Sequence, residues 1–571
     1  MPGPASYKPL PARAQDFPHG DWEALRPFFD ELIAAELDEA SLGPWLGQWS
    51  GLFAHFLEAD GRLYSASACD AADKAKEAAF LHFQQVIGPK SEEAWQALRK
   101  KLLQSGLKPS GMEQPLRRMQ AWAAIYREEN LPLTAELVGL ENDFNQIRSA
   151  WSVDVDGKTL TRADVVRLLE DPDRALRERV WRATMQRNMA ESAALDELFG
   201  KLVEGRHRLG VNAGLAGYTP YRFLDLGRLD ISVEDCQAFH TAILEHAVPL
   251  AVKLEKLYAR ELGLTQLRPW DAGVNVFGDL PAIGVERMQA GVKAMLEKVC
   301  PATVRHFRRL EELGTLDLAD RPGKRYAGFC AALPLSQGAF IFMNANGTDN
   351  DVATLAHEAG HAMHFMESIE ALPLGFQWFA NSECNETAAT CVEYMVLEHL
   401  QPLYTPQQAA RVRLGKLSNV AAGFAYVAVI DAFQHWAYAN PAASSAQRNA
   451  FALELMQRYF PAMDWSGFER EHATFWQRTE HIFNTPLYYL EYGIAQLGAL
   501  QLWRKSLSDP AGASAVLAEA MRLGGTVTSA DFFKAAGMEL RMDGEMLKGL
   551  MEELEASIEE CLKALGIKPL P

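Results

Sequence analysis

The stretch that decides the fold reads Thr-Asp-Asn-Asp-Val-Ala-Thr-Leu-Ala-His-Glu-Ala-Gly-His-Ala-Met-His-Phe-Met, residues 348–366. Its apolar residues recur three and four positions apart, which is typical of an amphipathic α-helix. On such a helix, His357 and His361 lie one turn apart on the same face, so both imidazoles can reach one metal ion. Glu358 follows the first histidine, and its carboxylate can hydrogen-bond a water on that ion. The stretch therefore predicts a helix that carries a metal centre.

The residues around this pattern favour the helix. Thr348, Asp349 and Asn350 offer side-chain oxygens that can cap its first turn. Gly360 costs helix stability, so we expect another element to approach the helix closely at that point. A chance His-Glu-x-x-His on a structural helix occurs on the order of a few hundredths of a time in a chain with these 14 histidines. Whether this motif binds a metal ion or occurs by chance therefore depends on whether the sequence offers further ligands.

A catalytic zinc needs a third protein ligand and an open position for water. The acidic candidates that follow the histidines are Glu367, Glu370, Glu383, Glu386 and Glu393. The first two lie one or two turns along the same helix and cannot easily fold back. Residues 381–399 are predicted to form a second, antiparallel helix, with Glu386, Thr390 and Glu393 on one face. We predict Glu386 as the ligand and Thr390 and Glu393 as residues that orient a ligand. For Glu393 a structural ion pair is an equal alternative.

The composition excludes several classes of function. The 571 residues are 48% hydrophobic and 23% charged, an ordinary globular balance, and their net charge of −18 argues against binding of nucleic acid or an anionic membrane surface. The N-terminus has no basic region followed by an apolar stretch. The longest apolar run, Val420–Ile430, is shorter than the roughly 20 residues that span a membrane, and predicts a buried core helix.

The seven cysteines include no pair at Cys-x-x-Cys spacing, and their number is odd. In a chain of this size they do not indicate a disulfide framework. Cys384 and Cys391 lie near the predicted site, but the carboxylates are the better ligand candidates. We therefore expect a reduced, cytoplasmic protein.

Helical spacing extends along most of the chain and predicts a mainly α fold. It covers residues 22–40, 73–87, 92–104, 114–127, 134–150 and 163–189, and 541–565 as a final packed helix. Strand signal is clearest at residues 337–344, which the turn dipeptide Asn346-Gly347 ends. We place the boundary between an N-terminal helical lobe, 1–204, and a catalytic region, 205–571, before the glycine-rich residues 210–217.

Two motifs together resemble the M3 family of metallopeptidases, and in particular its oligoendopeptidase F group. They are His-Glu-Ala-Gly-His-Ala-Met-His, from His357, and Asn-Glu-Thr-Ala-Ala-Thr-Cys-Val-Glu-Tyr, from Asn385. Residues 324–330, 340–348 and 481–492 are similar to that family too, and the likeness is weak before residue 205. The resemblance implies a helical zincin-type fold with a deep substrate channel. It also implies one zinc per chain with Glu386 as third ligand, and cleavage of short peptides.

Residues 481–492 bring a histidine together with the tyrosines Tyr488, Tyr489 and Tyr492. Thr485-Pro486 predicts a helix start, after which Tyr492 shares a face with one of the other two phenols. A histidine and phenols at a cleft can donate hydrogen bonds to a developing oxyanion. Tyrosines at such a spacing more often pack in an aromatic core. The family resemblance, in contrast, favours a catalytic role for them. We predict His481, Tyr492 and Tyr489 as catalytic, although Tyr488 can replace Tyr489, and we assign Tyr488 to substrate binding.

The predicted function is hydrolysis of internal peptide bonds by a zinc-activated water, with Glu358 as general base. If the strand Ala339–Met343 has a free edge, we expect Ala339, Phe340 and Ile341 to pair with the substrate backbone. His364 is predicted to be structural rather than a ligand. The alternatives are a zinc carboxypeptidase with a similar helical cleft and an inactive peptide-binding scaffold, which would need a broken base or oxyanion set.

Overall fold

The protein is seen here as a computed structural model that describes residues 7–149, 151–274, 276–278 and 280–571. The predicted mainly α fold is confirmed. The elements up to the middle of the chain are α1 (Trp22–Ala34), α2 (Leu42–Cys69), α3 (Lys74–His82), α4 (Gly88–Ser105), α5 (Glu113–Ile125), α6 (Asn130–Ser149), β1 (Val153–Val155), β2 (Lys158–Leu160), α7 (Arg162–Leu169), α8 (Arg174–Asn212), α9 (Tyr218–Asp225), α10 (Val233–Ala242), α11 (Val248–Glu261), α12 (Val285–Val299) and α13 (Val304–Leu313).

The second half of the chain contains most of the sheet and the predicted site. Its elements are β3 (Leu316–Ala319), β4 (Phe329–Leu333), β5 (Gly338–Ala345), α14 (Asp349–Ala371), α15 (Ser382–Met395), α16 (Pro406–Ala439), α17 (Ser445–Tyr459), α18 (Glu469–Ala473), α19 (Glu480–Asn484), α20 (Leu490–Ser508), α21 (Pro510–Met521), α22 (Ser529–Ala535) and α23 (Gly544–Leu565). The strand predicted over 337–344 is therefore β5, and the final packed helix is α23.

The chain folds into two compact units, each assembled from three segments. The first unit consists of Met1–Ala124, Leu280–Thr405 and Gly498–Leu540, and the second of Ile125–Asp279, Pro406–Leu497 and Arg541–Pro571. The predicted division into an N-terminal helical lobe, 1–204, and a catalytic region, 205–571, stays a prediction. Helix α8 runs unbroken through position 205 and belongs to the second unit.

One predicted helix is divided in the structure, and the predicted core helix is longer than its apolar run. Residues 163–189 were expected to form one helix, but Pro172 separates α7 from α8, because proline cannot donate a backbone hydrogen bond. Asp173 then caps α8 by accepting a hydrogen bond from the amide of Ala175. The apolar run 420–430 lies in α16, the one described helix long and apolar enough to cross a membrane. The most apolar window of α16 is 72% buried inside the protein, as predicted for a core helix.

The first unit contains a three-stranded sheet in the order β3-β5-β4. Strand β5 pairs antiparallel with β4 from Gly338 to Phe342 and in parallel with β3 from Ile341 onward. Pairing of Ala339, Phe340 and Ile341 with substrate is expected only at a free edge of β5; Ile341 has strand partners on both sides, and pairing at Ala339 and Phe340 stays a prediction. Strand β4 is an edge strand: within the described part of the chain it pairs with β5 alone.

Candidate active site

Helix α14 carries the two histidines and begins as the sequence predicts. The hydroxyl of Thr348 accepts from the amide of Asp351, and the Asp351 carboxylate accepts in return from the amide of Thr348, which forms a capping box. Halfway along, Gly360 faces α15. A Cβ atom built on Gly360 would lie 2.7 Å from the Cα of Ala389, closer than any carbon contact allows. Glycine at 360 thus allows α15 to pack closely against the helix of the histidines, as we expected.

This close packing brings three possible metal ligands together in the first unit. The side chains of His357, His361 and Glu386 place one donor atom each within 4.8 Å of the others. Glu386 Oε2 lies 3.6 Å from His357 Nε2 and 3.9 Å from His361 Nε2. Donors bonded tetrahedrally to zinc at about 2.0–2.1 Å stand about 3.3 Å apart. Two imidazoles and one carboxylate at these distances therefore fit a zinc ion with small shifts.

Glu393 holds the first histidine from its other side. Glu393 Oε2 lies 3.4 Å from Nδ1 of His357, so Nε2 of that ring is directed toward Glu386. Burial alone would lower the pKa of His357, but the carboxylates of Glu386 and Glu393 outweigh it and raise that pKa. The negative charge of these two carboxylates therefore favours a cation beside His357. Glu393 lies where a residue that orients a metal ligand is expected.

Glu358 is buried and lies next to β4. Burial raises its pKa to about 7, with Glu386 and Glu393 adding to the effect against His357. A Cβ atom at Gly328, the residue before β4, would touch Glu358 Oε1 at 3.8 Å. A carboxyl group with a pKa near neutrality suits proton transfer in both directions. The start of β4 therefore passes directly beside the predicted base.

The remaining residues predicted in this region lie on the same two helices. His364 is buried against Phe532, and among the described residues neither of its ring nitrogens has a hydrogen-bond partner; its structural role stays a prediction. Thr390 is buried on α15. Cys384 and Cys391 are buried, form no disulfide within the described part of the chain, and do not belong to the cluster of donor atoms around His357.

The second unit contains the predicted histidine–tyrosine group. His481 Nε2 lies 3.1 Å from the hydroxyl of Tyr492. The ring of Tyr492 is 5.3 Å from that of Tyr489 and 5.7 Å from that of Tyr488, measured between centroids. His481 contacts both of these rings as well, at 5.0 and 6.3 Å. The structure thus brings all four residues together, and Tyr489 is marginally the closer partner.

The helix start predicted at Thr485-Pro486 is wrong, because α20 begins only at Leu490. Leu487 adopts a left-handed backbone conformation with φ of 59°. Side chains from other elements hold this turn in place: the amide of Leu487 donates to Gln434 at 2.8 Å, and Arg228 donates to the Leu487 carbonyl at 2.8 Å. These buried bonds compensate for a backbone conformation that costs a non-glycine residue energy. The tyrosines meet through this turn rather than through helical spacing.

Two residues near these groups escape sequence reasoning. Tyr426 of α16 lies 5.7 Å from Tyr489, ring to ring, and its hydroxyl is 2.6 Å from that of Thr479. It stands more than fifty positions before the other tyrosines, so no spacing points to it. Gly328 is the second, because only the fold brings it beside Glu358. A glycine before an aromatic residue is a signal of close backbone approach, but a weak one.

A mainly helical fold with His-Glu-x-x-His on one helix and a glutamate ligand on the next defines a class of metal-dependent peptidases. Comparison with known proteins agrees. The family model for peptidase family M3 matches residues 167–279 and 285–552. The chain belongs to peptidase family M3: it is a metalloendopeptidase, a hydrolase that acts on peptide bonds.

Solved structures share the fold over nearly their whole length. PZ peptidase A, solved with an inhibitor, is 22% identical with a TM-score of 0.87, covering 96% of this chain and 99% of that one. A protein provisionally assigned as an oligoendopeptidase F has the same identity and TM-score over 98% and 99% of the two chains. A similar provisional assignment from Bacillus anthracis str. Ames is 20% identical, with a TM-score of 0.83 over 98% of each chain. No curated protein matches the sequence.

Proposed function

We propose that the protein is a zinc-dependent oligoendopeptidase that hydrolyses internal bonds of short peptides. The observation that carries the proposal is the convergence of His357, His361 and Glu386, whose donor atoms lie within 4.8 Å of one another. The residues that would hold the ion are these three, and one zinc per chain is expected at this site. Zinc bound there supplies a Lewis acid for the scissile carbonyl and lowers the pKa of a water to about 7.

Glu358 acts as the general base and then as the general acid. It accepts a proton from the attacking water on its carboxylate and delivers that proton to the leaving amine. Its burial supports both steps, because a pKa of about 7 leaves the carboxyl able to accept and to donate near neutral pH. Glu393 contributes by holding His357 at Nδ1, which fixes the ring so that Nε2 faces the ligand position.

Tyr492 and His481 are proposed to stabilise the tetrahedral oxyanion. Their polar atoms lie 3.1 Å apart, so the histidine can orient the phenol for donation to a third group. Tyr489 is the proposed catalytic partner, supported by its slightly shorter distance to Tyr492, and Tyr488 is proposed to contact substrate. Burial raises the pKa of Tyr489 above its ordinary value, so its hydroxyl keeps the proton that it would donate.

The substrate backbone is proposed to pair with the outer edge of β4. This strand has a neighbour on one side only, and its first residues follow Gly328, which lies beside Glu358. A peptide that adds to this edge is bound by main-chain hydrogen bonds, largely independent of its sequence. A substrate in which one backbone amide is replaced by an ester loses a donor, so its KM should rise. An unchanged KM at every replaced position would contradict this binding mode.

Substrate length and location complete the proposal. The resemblance to oligoendopeptidases supports peptides rather than folded proteins as substrates, bound in a deep channel. A cytoplasmic location is supported by the seven cysteines, none of which forms a disulfide in the described part of the chain.

The direct test of the ligand set is Glu386→Ala. The variant should lose the zinc of this site and all turnover, because two histidines alone hold zinc weakly. Glu383→Gln is the matched control on the same helix, since Glu383 is hydrogen-bonded to Ser529 at 2.6 Å and is absent from the cluster. It should keep the zinc. Metal analysis that finds wild-type zinc in Glu386→Ala would exclude Glu386 as a ligand.

A further inference from the structure

A second group of possible metal ligands lies in the other unit, on α10 and α16. Cys236 and His240 are four positions apart on α10, and Asp431 and His435 are four positions apart on α16. Residues at this spacing project from the same face of a helix, so each helix offers a pair of possible ligands. The two pairs face each other where α10 and α16 pack. Donors of the kinds that bind transition metals therefore come together here: those of Cys236, Asp431 and His435 form one cluster, and His240 contacts Asp431.

The distances between the donor atoms are close to those between the ligands of one bound zinc ion. Donor atoms of Cys236, Asp431 and His435 all lie within 4.8 Å of one another. Asp431 Oδ2 lies 2.9 Å from His240 Nε2 and 3.3 Å from His435 Nε2. Ligands at zinc stand about 3.3 Å apart for nitrogen and oxygen, and slightly more for sulfur. Small side-chain shifts would complete a tetrahedral set.

The hydrogen bonds of this cluster do not satisfy its buried atoms. The side chain of Asp431 is fully buried, and within the described part of the chain its Oδ1 has no hydrogen-bond partner, whereas His435 Nε2 lies 3.3 Å from Oδ2. A buried carboxylate oxygen without a partner destabilises the folded protein, and more so because it is charged. The interaction with His240 uses only Oδ2. A cation among these atoms would supply what the protein alone leaves unpaired.

The charges of the donor set also suit a divalent cation. A thiolate, a carboxylate and two neutral imidazoles would balance a divalent cation. Arg228, the nearest positive side chain to influence Cys236, is itself paired with Glu491 at 2.8 Å. Burial raises the pKa of the Cys236 thiol, so binding of metal would have to displace its proton, as is usual for thiolate ligands.

A cavity gives access to the cluster. It has a volume of about 560 Å³ and is lined by both histidines, with aromatic walls that include Tyr218, Trp436 and Phe451. His240 and His435 thus separate the buried Asp431 from this cavity. An ion can enter through it without unfolding of either helix.

We infer that Cys236, His240, Asp431 and His435 form a second zinc site, structural in character, that joins α10 to α16. The competing explanation is a metal-free hydrogen-bonded triad of Asp431 with the two histidines. The mixed set of sulfur, nitrogen and oxygen donors favours zinc among the abundant divalent ions, since magnesium and calcium prefer oxygen alone. The site is independent of the proposed catalysis.

The first test counts zinc in the full chain after dialysis against metal-free buffer. The wild-type protein should hold about two equivalents per chain, and His357→Ala/His361→Ala about one, because that variant lacks the proposed catalytic site only. A double variant without zinc would contradict the second site, whatever the wild-type content. Wild-type protein with more than one equivalent supports it.

The second test uses cobalt, which reports on its ligands. In the His357→Ala/His361→Ala background, one equivalent of Co²⁺ should produce thiolate-to-cobalt charge-transfer absorption in the near ultraviolet, because the proposed catalytic site contains no sulfur ligand. Adding Cys236→Ser should abolish that absorption. Cys561→Ser is the matched control, a buried cysteine of α23 in the same unit that is absent from the cluster, and it should leave the absorption intact.

The outcomes separate the two explanations even if one variant fails to fold. Absorption that is lost in Cys236→Ser and kept in Cys561→Ser establishes the thiolate ligand. No charge-transfer absorption with both cysteines present, or absorption that persists in Cys236→Ser, overturns the inference. Circular dichroism of each variant identifies unfolded protein, and the zinc count of the double variant then decides alone.

Discussion

The contact between Gly360 and α15 makes a quantitative prediction about metal binding. In Gly360→Ala, the new Cβ would lie 2.7 Å from Ala389 Cα and 3.2 Å from its carbonyl oxygen. Carbon atoms in contact stand about 3.5–4.0 Å apart, so α15 must retreat by roughly 0.8 Å or more. No rotation of a side chain can relieve this clash, because the neighbouring atoms belong to the backbone.

The retreat of α15 has two consequences. Overpacking of this kind costs about 1–3 kcal/mol, against a gain of about 1 kcal/mol from replacing a helical glycine by alanine. It also moves Glu386, which lies one turn before Ala389, beyond the tolerance of about 0.2 Å that metal–ligand bonds allow. We therefore expect zinc affinity at this site to fall about 10–100-fold, the loss usual when the support of a ligand is disturbed.

The matched control is Gly423→Ala on α16. A Cβ atom there meets nothing within 4 Å, so only the helix-propensity gain applies. The difference between the two variants cancels that gain and leaves the overpacking cost of about 1–3 kcal/mol. Urea unfolding with a chelator present measures it, and a competitive chelator titration measures the zinc affinity. A Gly360→Ala protein that gains stability like Gly423→Ala and binds zinc like the wild type would refute the packing argument.

Three further predictions concern the tyrosine cluster, the substrate and a buried acid. Tyr492→Phe should lower kcat about 10²–10³-fold with KM nearly unchanged, since only the oxyanion donor is lost. If this variant has the kcat of the wild type, another residue stabilises the oxyanion, and the kcat values of Tyr488→Phe and Tyr489→Phe show whether it is one of those tyrosines. Peptides with a blocked C-terminus should be cut, and a stably folded protein should not, as mass spectrometry of the digests will show; failure on every blocked peptide would indicate a carboxypeptidase instead. Burial raises the pKa of Glu255 from 4.5 to about 7, so this group favours the folded state only while protonated, and its stabilising contribution is lost as the pH rises from 4.5 through 7. Glu255→Gln should therefore raise the free energy of unfolding at pH 8 by about 1–3 kcal/mol and change it little at pH 4; equal effects at both pH values would contradict the burial argument.

Sequence reasoning located the two histidines and the glutamate that the structure brings together, because helical periodicity is a local property. The spacing of His357 and His361 fixes their common face, and Gly360 indicated the close approach that the structure shows at Ala389. The second helix was predictable for the same reason. The spacing of residues along a strand does not show which strand pairs with each of its edges. The pairing of β5 on both sides depends on β3 and β4, whose short sequences contain no distinctive pattern.

The tyrosine cluster shows a different limit. Thr485-Pro486 has the local signature of a helix start, but Leu487 takes a left-handed conformation. The bonds from Gln434 and Arg228 that hold it come from residues about 53 and 259 positions away. A turn held by distant side chains cannot be inferred from local propensity. The hairpin of β1 and β2 is a different case, because its sequence does contain a local signal that our sequence analysis did not use. Asp156-Gly157 is a turn dipeptide, and both residues have positive φ.

The most direct test of the central claim, that Glu358 transfers the proton in a zinc-dependent peptide hydrolysis, is turnover and zinc content measured together on Glu358→Gln. The amide keeps the shape of the side chain but cannot accept the proton. Glu358 is not among the three clustered donors, so the zinc content should equal that of the wild type. Turnover of a short peptide should fall about 10²–10⁴-fold. Wild-type turnover in a variant with full zinc content would contradict the account.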